Sequence, residues 1–190
     1  MPKSFRKKAE EISLELREEL KVGKNDFLDP YMLAANLEVK IISPQNLEIP
    51  QRILDILLSS CSDEWSGLGT TINGVSKIYL NTSHVQNRLH STICHELAHF
   101  ILEHEPMSVV NYLGIPRTRY NEEQEKEADY LGACLQIPEQ ALFYLCTFKN
   151  YTIEMLAKRF QCSIKMARRR YNETGTKRKM EGYKKKRGWI

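Results

Sequence analysis

The chain has 190 residues, 42% hydrophobic and 27% charged, a balance that fits one substantial folded core and excludes a mainly disordered protein. No apolar run approaches the roughly 20 residues of a membrane-spanning helix, and the charged N-terminal residues lead into no apolar signal stretch, so a cytoplasmic protein without membrane attachment is expected. Five scattered cysteines without a C-x-x-C pair (Cys61, Cys94, Cys134, Cys146 and Cys162) read as reduced thiols, and the net charge of +4 hides a polarity. Up to Ala157 there are 15 Lys/Arg against 22 Asp/Glu; from Lys158 onward there are 13 against 2. Such a basic end is either a solvated tail or a contact for an anionic partner such as nucleic acid.

In chain order, residues 3–21 alternate charge with Ile12, Leu14, Leu16 and Leu20 as an amphipathic helix does. Asp29-Pro30 supplies an N-cap and a first-turn proline for a second helix. Residues 38–43 ("EVKIIS") read as a short strand, and Pro50 opens another helical run. Two short β runs flank Asn73-Gly74, the dipeptide that best fits a two-residue hairpin turn. A long helix is expected from about residue 82 to 104. Residues 105–120, with Pro106, Gly114 and Pro116, read as a loop. Helical character returns over 121–136, breaks at Pro138 and resumes to about Phe148. Two shorter helices follow, with Thr152 and Ser163 as N-caps. Beyond Gly175 little remains that could pack. The predicted class is α+β, mainly helical, with a small antiparallel or mixed sheet and a C-terminal helical hairpin. Expected segments are an N-terminal helix (1–27), a core (28–149), helix-turn-helix-like helices (150–173) and a basic tail (174–190).

The longest helix contains "HELAH", residues 95–99. At ~100° per residue, His95 and His99 project about 40° apart, where two imidazoles one turn apart can share a tetrahedral Zn²⁺. Glu96 falls about 100° from His95, beside a metal rather than on it, in place to take a proton from water. Ile93, Leu97 and Ile101 form the opposite, buried stripe, and Cys94 lies next to it as a core thiol. On a continuous helix His104 points about 180° and His90 about 220° from His95, so neither is expected to be a ligand. The third ligand is sought in "NEEQEKEADYLGACL". Glu125 and Asp129 share a face, Glu125 as ligand and Asp129 as hydrogen-bond partner of a ligand histidine. Glu122 is the second choice, and Glu127 lies on the far side. Ala128 and Gly132 would let this helix approach the histidine helix closely.

The blocks "INGVSKIYLN", "NRLHSTICHELAHFILEH", "EKEADYLGACLQIP" and "LAKRFQCSIKMARRRY" together resemble the ImmA/IrrE family of intracellular zinc metallopeptidases, over roughly residues 28–172. The chain departs from the family's usual text at Asp129, where Asn is common, and at Leu131-Gly132, where Phe-Ala is usual. The resemblance implies one Zn²⁺ per chain held by His95, His99 and Glu125, Glu96 as base, and a helix-turn-helix repressor as substrate, cut to relieve repression. A substrate strand is expected to add to Gly67–Thr71 or Ile78–Leu80. Tyr112, Tyr120 and His84 are open candidates for stabilising the oxyanion. Ile164, Ala167 and Tyr171 share a face while Lys165, Arg169 and Arg170 point elsewhere, as in a recognition helix toward phosphates or a hairpin packed on a core; the resemblance favours the hairpin. The rival reading is a non-catalytic, zinc-containing regulator acting through its basic C-terminal region on DNA or a protein partner. A peptidase held latent until a partner opens it is a further expectation.

Overall fold

The computed structural model describes residues 1–47, 49–60, 64–112 and 115–188. The elements run α1 (Lys3–Glu19), α2 (Pro30–Asn36), β1 (Lys40–Ile42), α3 (Gln51–Asp55, continuing as a π-turn over Ile56–Ser60), β2 (Gly67–Ile72), β3 (Val75–Leu80), α4 (Gln86–Ile101), β4 (Ser108–Tyr112), β5 (Ile115–Arg119), α5 (Glu122–Gln136), α6 (Glu139–Phe148), α7 (Ile153–Arg159), α8 (Ile164–Glu173) and α9 (Thr176–Lys186). This is an α+β, mainly helical fold. Among the described residues no helix is long and apolar enough to cross a membrane. The chain divides into two compact units, Asp29–Gly132 with Met1, and Pro2–Leu28 with Ala133–Ile190; the division falls inside α5.

In the first unit, β3 is the middle strand of a three-stranded sheet ordered β1-β3-β2. It pairs parallel with β1 and antiparallel with β2. Both partners of β3 are taken, so of the two segments considered for strand addition, Ile78–Leu80 is interior and Gly67–Thr71 lies on the edge strand β2. The hairpin turns at Asn73 (φ 50°) and Gly74 (φ 76°), the two left-handed positions that a type I′ turn requires and that Asn-Gly supplies at low cost. Beneath the sheet Leu57, Trp65, Leu68, Tyr79 and Ile115 form an apolar core. The Asp29 side chain caps α2 by accepting from Tyr31 N–H at 2.9 Å, with Pro30 in the first turn.

The segment 105–120 corrects the loop expectation. It is a second, two-stranded sheet, β4 against β5. Its prolines read as breakers, but Pro116 sits opposite Asn111 in a two-stranded ribbon, where a missing N–H costs a ladder bond without interrupting a larger sheet. The turn residues 113 and 114 lie outside the described residues.

In the second unit, α6, α7 and α8 close over Ile137, Leu142, Leu145, Leu156, Phe160 and Ala167. Thr152 and Ser163 cap α7 and α8 by accepting from Met155 and Met166 N–H groups. Arg170, placed off the apolar face of α8 with a phosphate contact or a packed hairpin left open, is fully buried. Its Nε donates to the Ile137 carbonyl at 3.0 Å and Nη2 pairs with Glu10 at 2.5 Å, so it is a structural charge and not a phosphate contact. The basic end also departs from expectation: residues 176–186 form α9, with Met180 packed on the core and Tyr183 edge-on to Phe143 and Phe148. Two apolar side chains at helical spacing (i, i+3) are enough to seat an otherwise basic helix.

Arg17 holds this unit from its N-terminal side. It is fully buried and donates to the carbonyls of Asp26 (2.7 Å), Leu135 (2.8 Å) and Gln136 (3.3 Å), the last two at the C-terminal end of α5, where carbonyls have no helical partner. Arg17→Leu strands those acceptors and is expected to lower unfolding free energy by about 3 kcal/mol. Arg17→Lys should recover little, because an ammonium group lacks the fork that reaches three carbonyls. Urea unfolding checks both; a loss below about 1 kcal/mol for Arg17→Leu would contradict the account.

Candidate metal centre

All the residues of the site lie in the first unit. α4 carries its apolar stripe inward, with Leu89, Ile93, Cys94, Leu97 and Ala98 buried, and this anchorage fixes the direction of the residues beside it. His95 and His99 project one turn apart, with their Nε2 atoms 3.3 Å from each other. Glu125, in the first turns of α5, places Oε2 at 3.3 Å from His95 Nε2 and 3.7 Å from His99 Nε2. Among the described residues these three form the one cluster of His, Cys, Asp or Glu donors whose ligand atoms all lie within 4.8 Å of one another.

The edges of that triangle test the fit of a metal directly. Tetrahedral Zn²⁺ with ligand bonds of ~2.0–2.1 Å requires ligand atoms ~3.3–3.4 Å apart. Two imidazole nitrogens and one carboxylate oxygen are also the donor set of open zinc sites, which leave a fourth position for water or substrate. The residues present fit a divalent cation of this kind.

A glycine makes the approach of α5 possible. A Cβ at Gly132 would stand 3.1 Å from both the Cys94 carbonyl oxygen and the His95 amide nitrogen, backbone atoms that cannot yield. With no side chain there, α5 lies against α4 at the level of the first histidine. The ring of His95 is then gripped from behind by Asp129, Nδ1 to Oδ1 at 3.1 Å, so that Nε2 faces the centre. Glu122 is turned to solvent, paired with Lys126 at 2.6 Å, and is not among the converging groups.

The electrostatics follow from crowding carboxylates round imidazoles. Burial alone would lower the His95 pKa, but Asp129, Glu125 and Glu96 outweigh it and push the imidazole up to about 10. Hydrogen bonds from His95 and His99 hold the Glu125 carboxyl well below the usual carboxylate range against the opposing effect of burial. An entering cation therefore displaces a proton and takes over a site already biased toward positive charge.

Glu96 is not part of the triangle. Its Oε2 accepts the Gly69 N–H at 2.8 Å, so the carboxylate is tied to the edge strand β2. A Cβ at Gly69 would come within 2.6 Å of that oxygen, so glycine leaves the room the carboxylate uses. Tyr120, at the end of the β4–β5 ribbon, stacks on His99 with ring centroids 3.8 Å apart and planes at 13°. Burial, with Glu96 and Glu125 nearby, pushes its phenol up to about 12. Of the other two oxyanion candidates, His84 bonds the Trp65 carbonyl at 3.0 Å, and the Tyr112 side chain lies outside the described residues. Next to Tyr120 a cleft of about 350 Å³ runs between the sheet and the ribbon, lined by Thr70, Thr71, Phe100, Val109 and Thr118.

The two histidines set aside as ligands have different fates. His90 is buried and bonded to Gln86 at 2.7 Å. His104 is half-buried as a residue but its side chain is only 6% exposed, with Nδ1 at 2.9 Å from His99 Nδ1 and Nε2 at 3.3 Å from Glu127 Oε2. Sequence reasoning missed this contact because it extended the helix to residue 104. α4 instead ends at Ile101, Glu103 takes a left-handed conformation (φ 52°), and the chain folds back. No glycine marks the stop, so the sequence holds no ordinary signal for it.

Compared with known families, residues 63–172 match the Peptidase M78 model, described as the IrrE N-terminal-like domain. No significant match is found among curated proteins or solved structures.

Proposed function

Because the chain belongs to the Peptidase M78 (IrrE N-terminal-like) family, a metallopeptidase-type family, we propose that it is a cytoplasmic zinc endopeptidase that cuts a helix-turn-helix repressor and so relieves repression. The observation that carries the reading is the triangle of His95, His99 and Glu125 donor atoms, with edges of 3.3, 3.3 and 3.7 Å. When bound, Zn²⁺ supplies Lewis acidity that brings the pKa of water toward ~7 and polarises a carbonyl.

The chain's own groups do the rest. An extended substrate adds to β2, the edge of the three-stranded sheet, main chain to main chain. The Glu96 carboxylate, steadied by the Gly69 amide, accepts a proton from the attacking water and delivers it to the leaving nitrogen of the cleaved peptide. Tyr120, a phenol that burial and the nearby Glu96 and Glu125 push further up, is protonated at neutral pH and donates a hydrogen bond to the carbonyl oxygen as negative charge grows there. The resemblance to anti-repressor peptidases supports the substrate class.

The test is incubation of the purified chain, loaded with zinc, with a small helix-turn-helix repressor encoded beside it. Discrete cleavage that stops on adding a chelator and resumes with zinc is the expected result. Chelator-insensitive cleavage, or none under conditions where the repressor is freed from DNA in cells expressing the protein, contradicts it.

A further inference from the structure

We propose that His104 is a positioning residue for the metal centre, which orients His99 through a one-way hydrogen-bond relay ending on Glu127. This rests on the metal-binding reading above and deepens it. The relay is built by the way α4 stops. Glu103 N–H donates to the Phe100 carbonyl at 3.1 Å, and His104 N–H donates to the His99 carbonyl at 3.1 Å. Those two bonds, with φ of 52° at Glu103, make a Schellman ending, in which the second residue past the helix returns beside the third residue from its end. Here the returning residue is His104 and the residue it meets is His99. A side-chain contact commonly accompanies this ending, usually apolar; in this chain it is imidazole to imidazole, Nδ1 to Nδ1 at 2.9 Å.

The direction of the bonds is fixed by chemistry. His99 Nε2 is the atom that faces His95 and Glu125, so with a cation in the site its lone pair would be given to that cation and Nδ1 would carry the hydrogen. His99 Nδ1–H then donates, and His104 Nδ1 can only accept. Its hydrogen must sit on Nε2, which donates to Glu127 Oε2 at 3.3 Å. Each atom of the chain has one role, and the terminal carboxylate fixes them all. The side chains of His99 and His104 are 2% and 6% exposed, so water is a poor substitute for either bond. The two ligand histidines are thus supported differently: His95 by the carboxylate of Asp129 directly, His99 by a carboxylate acting through a second ring. Partners of this kind set ring orientation and ligand basicity, and their loss lowers metal affinity.

The experiment is zinc affinity of the full-length chain, measured by competition with a chromophoric chelator, for the wild type and for His104→Phe, His104→Gln and Glu127→Gln. Phe keeps a ring of similar volume but accepts nothing from His99, and its zinc affinity is expected to fall ~10–100-fold. Gln presents a carbonyl oxygen to His99 and an amide N–H to Glu127, and should recover most of that loss. Glu127→Gln should lose less than His104→Phe. A structural filler would show Phe and Gln alike, so the Gln rescue is the discriminating result. Nitrogen-15 spectra of the zinc-loaded wild type provide a reading that needs no variant: His104 should be hydrogenated at Nε2 and bare at Nδ1. His104→Phe binding zinc within ~2-fold of wild type, or the opposite tautomer at His104, overturns the relay and leaves the metal site standing. Wild-type chain that takes up no zinc removes both.

Discussion

Replacing Glu96 by Gln is expected to lower cleavage of a cognate peptide by about 10²–10⁴-fold while zinc stays bound at close to the wild-type affinity. Glu96 is separate from the donor triangle, so its charge is not needed to hold the cation. Gln also keeps an oxygen that can accept the Gly69 N–H, so the edge strand and the neighbouring helix need not move. What it loses is basicity: an amide oxygen cannot take a proton from water at neutral pH. Parallel measurements of kcat/KM and of metal content separate the possibilities. Undiminished cleavage would mean that another group is the base, and loss of zinc would mean that Glu96 is a ligand.

Removing the third donor acts on the other half of the account. Glu125→Ala leaves His95 and His99 on one helix with no third donor opposite their Nε2 atoms, and zinc affinity should fall by more than the ~10–100-fold typical of supporting residues. Glu122→Ala, three residues earlier on the same helix, should change nothing, because that carboxylate is 85% exposed and paired with Lys126. The metal-free protein should report the same geometry through pH. His95, raised from 6.5 to about 10, contributes stability that is fully present below pH 6.5 and is lost as pH rises toward 10. Glu125, lowered from 4.5, contributes stability that is present above pH 4.5 and is lost as pH falls below it. Their joint contribution therefore peaks between pH 4.5 and 6.5, and Glu125→Ala should weaken that rise in denaturant unfolding of the metal-free chain without abolishing it, because Asp129 and Glu96 still face His95. A wild-type profile without it would mean that the two groups do not face one another.

The site was more legible than its surroundings, for reasons that differ from residue to residue. His95, Glu96 and His99 sit on a helix whose apolar stripe fixes its rotation, so their directions follow from spacing alone. Glu125 and Asp129 were readable because i, i+4 spacing defines a face, and Gly132 because a close helix approach needs a residue without a side chain. The caps at Asp29, Thr152 and Ser163 and the Asn73-Gly74 turn are local chemistry and were read locally. What escaped depended on the chain doubling back. His104 was assigned by extending a helix that in fact ends at a left-handed glutamate, and Glu127, placed on the far side of α5, meets it for the same reason. The β4–β5 ribbon was hidden by Pro106, Gly114 and Pro116, which mark a loop as readily as a hairpin. Arg170 was read only as lying off the apolar face, with a phosphate contact or a packed hairpin left open, because charge does not announce the carboxylate and carbonyl that bury a guanidinium.

Two helices bring two imidazoles and one carboxylate within reach of a single cation. X-ray absorption at the zinc edge, on chain loaded with one equivalent of zinc, tests this most directly. A four-coordinate site with only nitrogen and oxygen neighbours at ~2.0–2.1 Å and two imidazole signatures is the expected result. Sulfur neighbours at ~2.3 Å, pointing to the cysteines, or zinc that washes out before a spectrum can be taken, would contradict it.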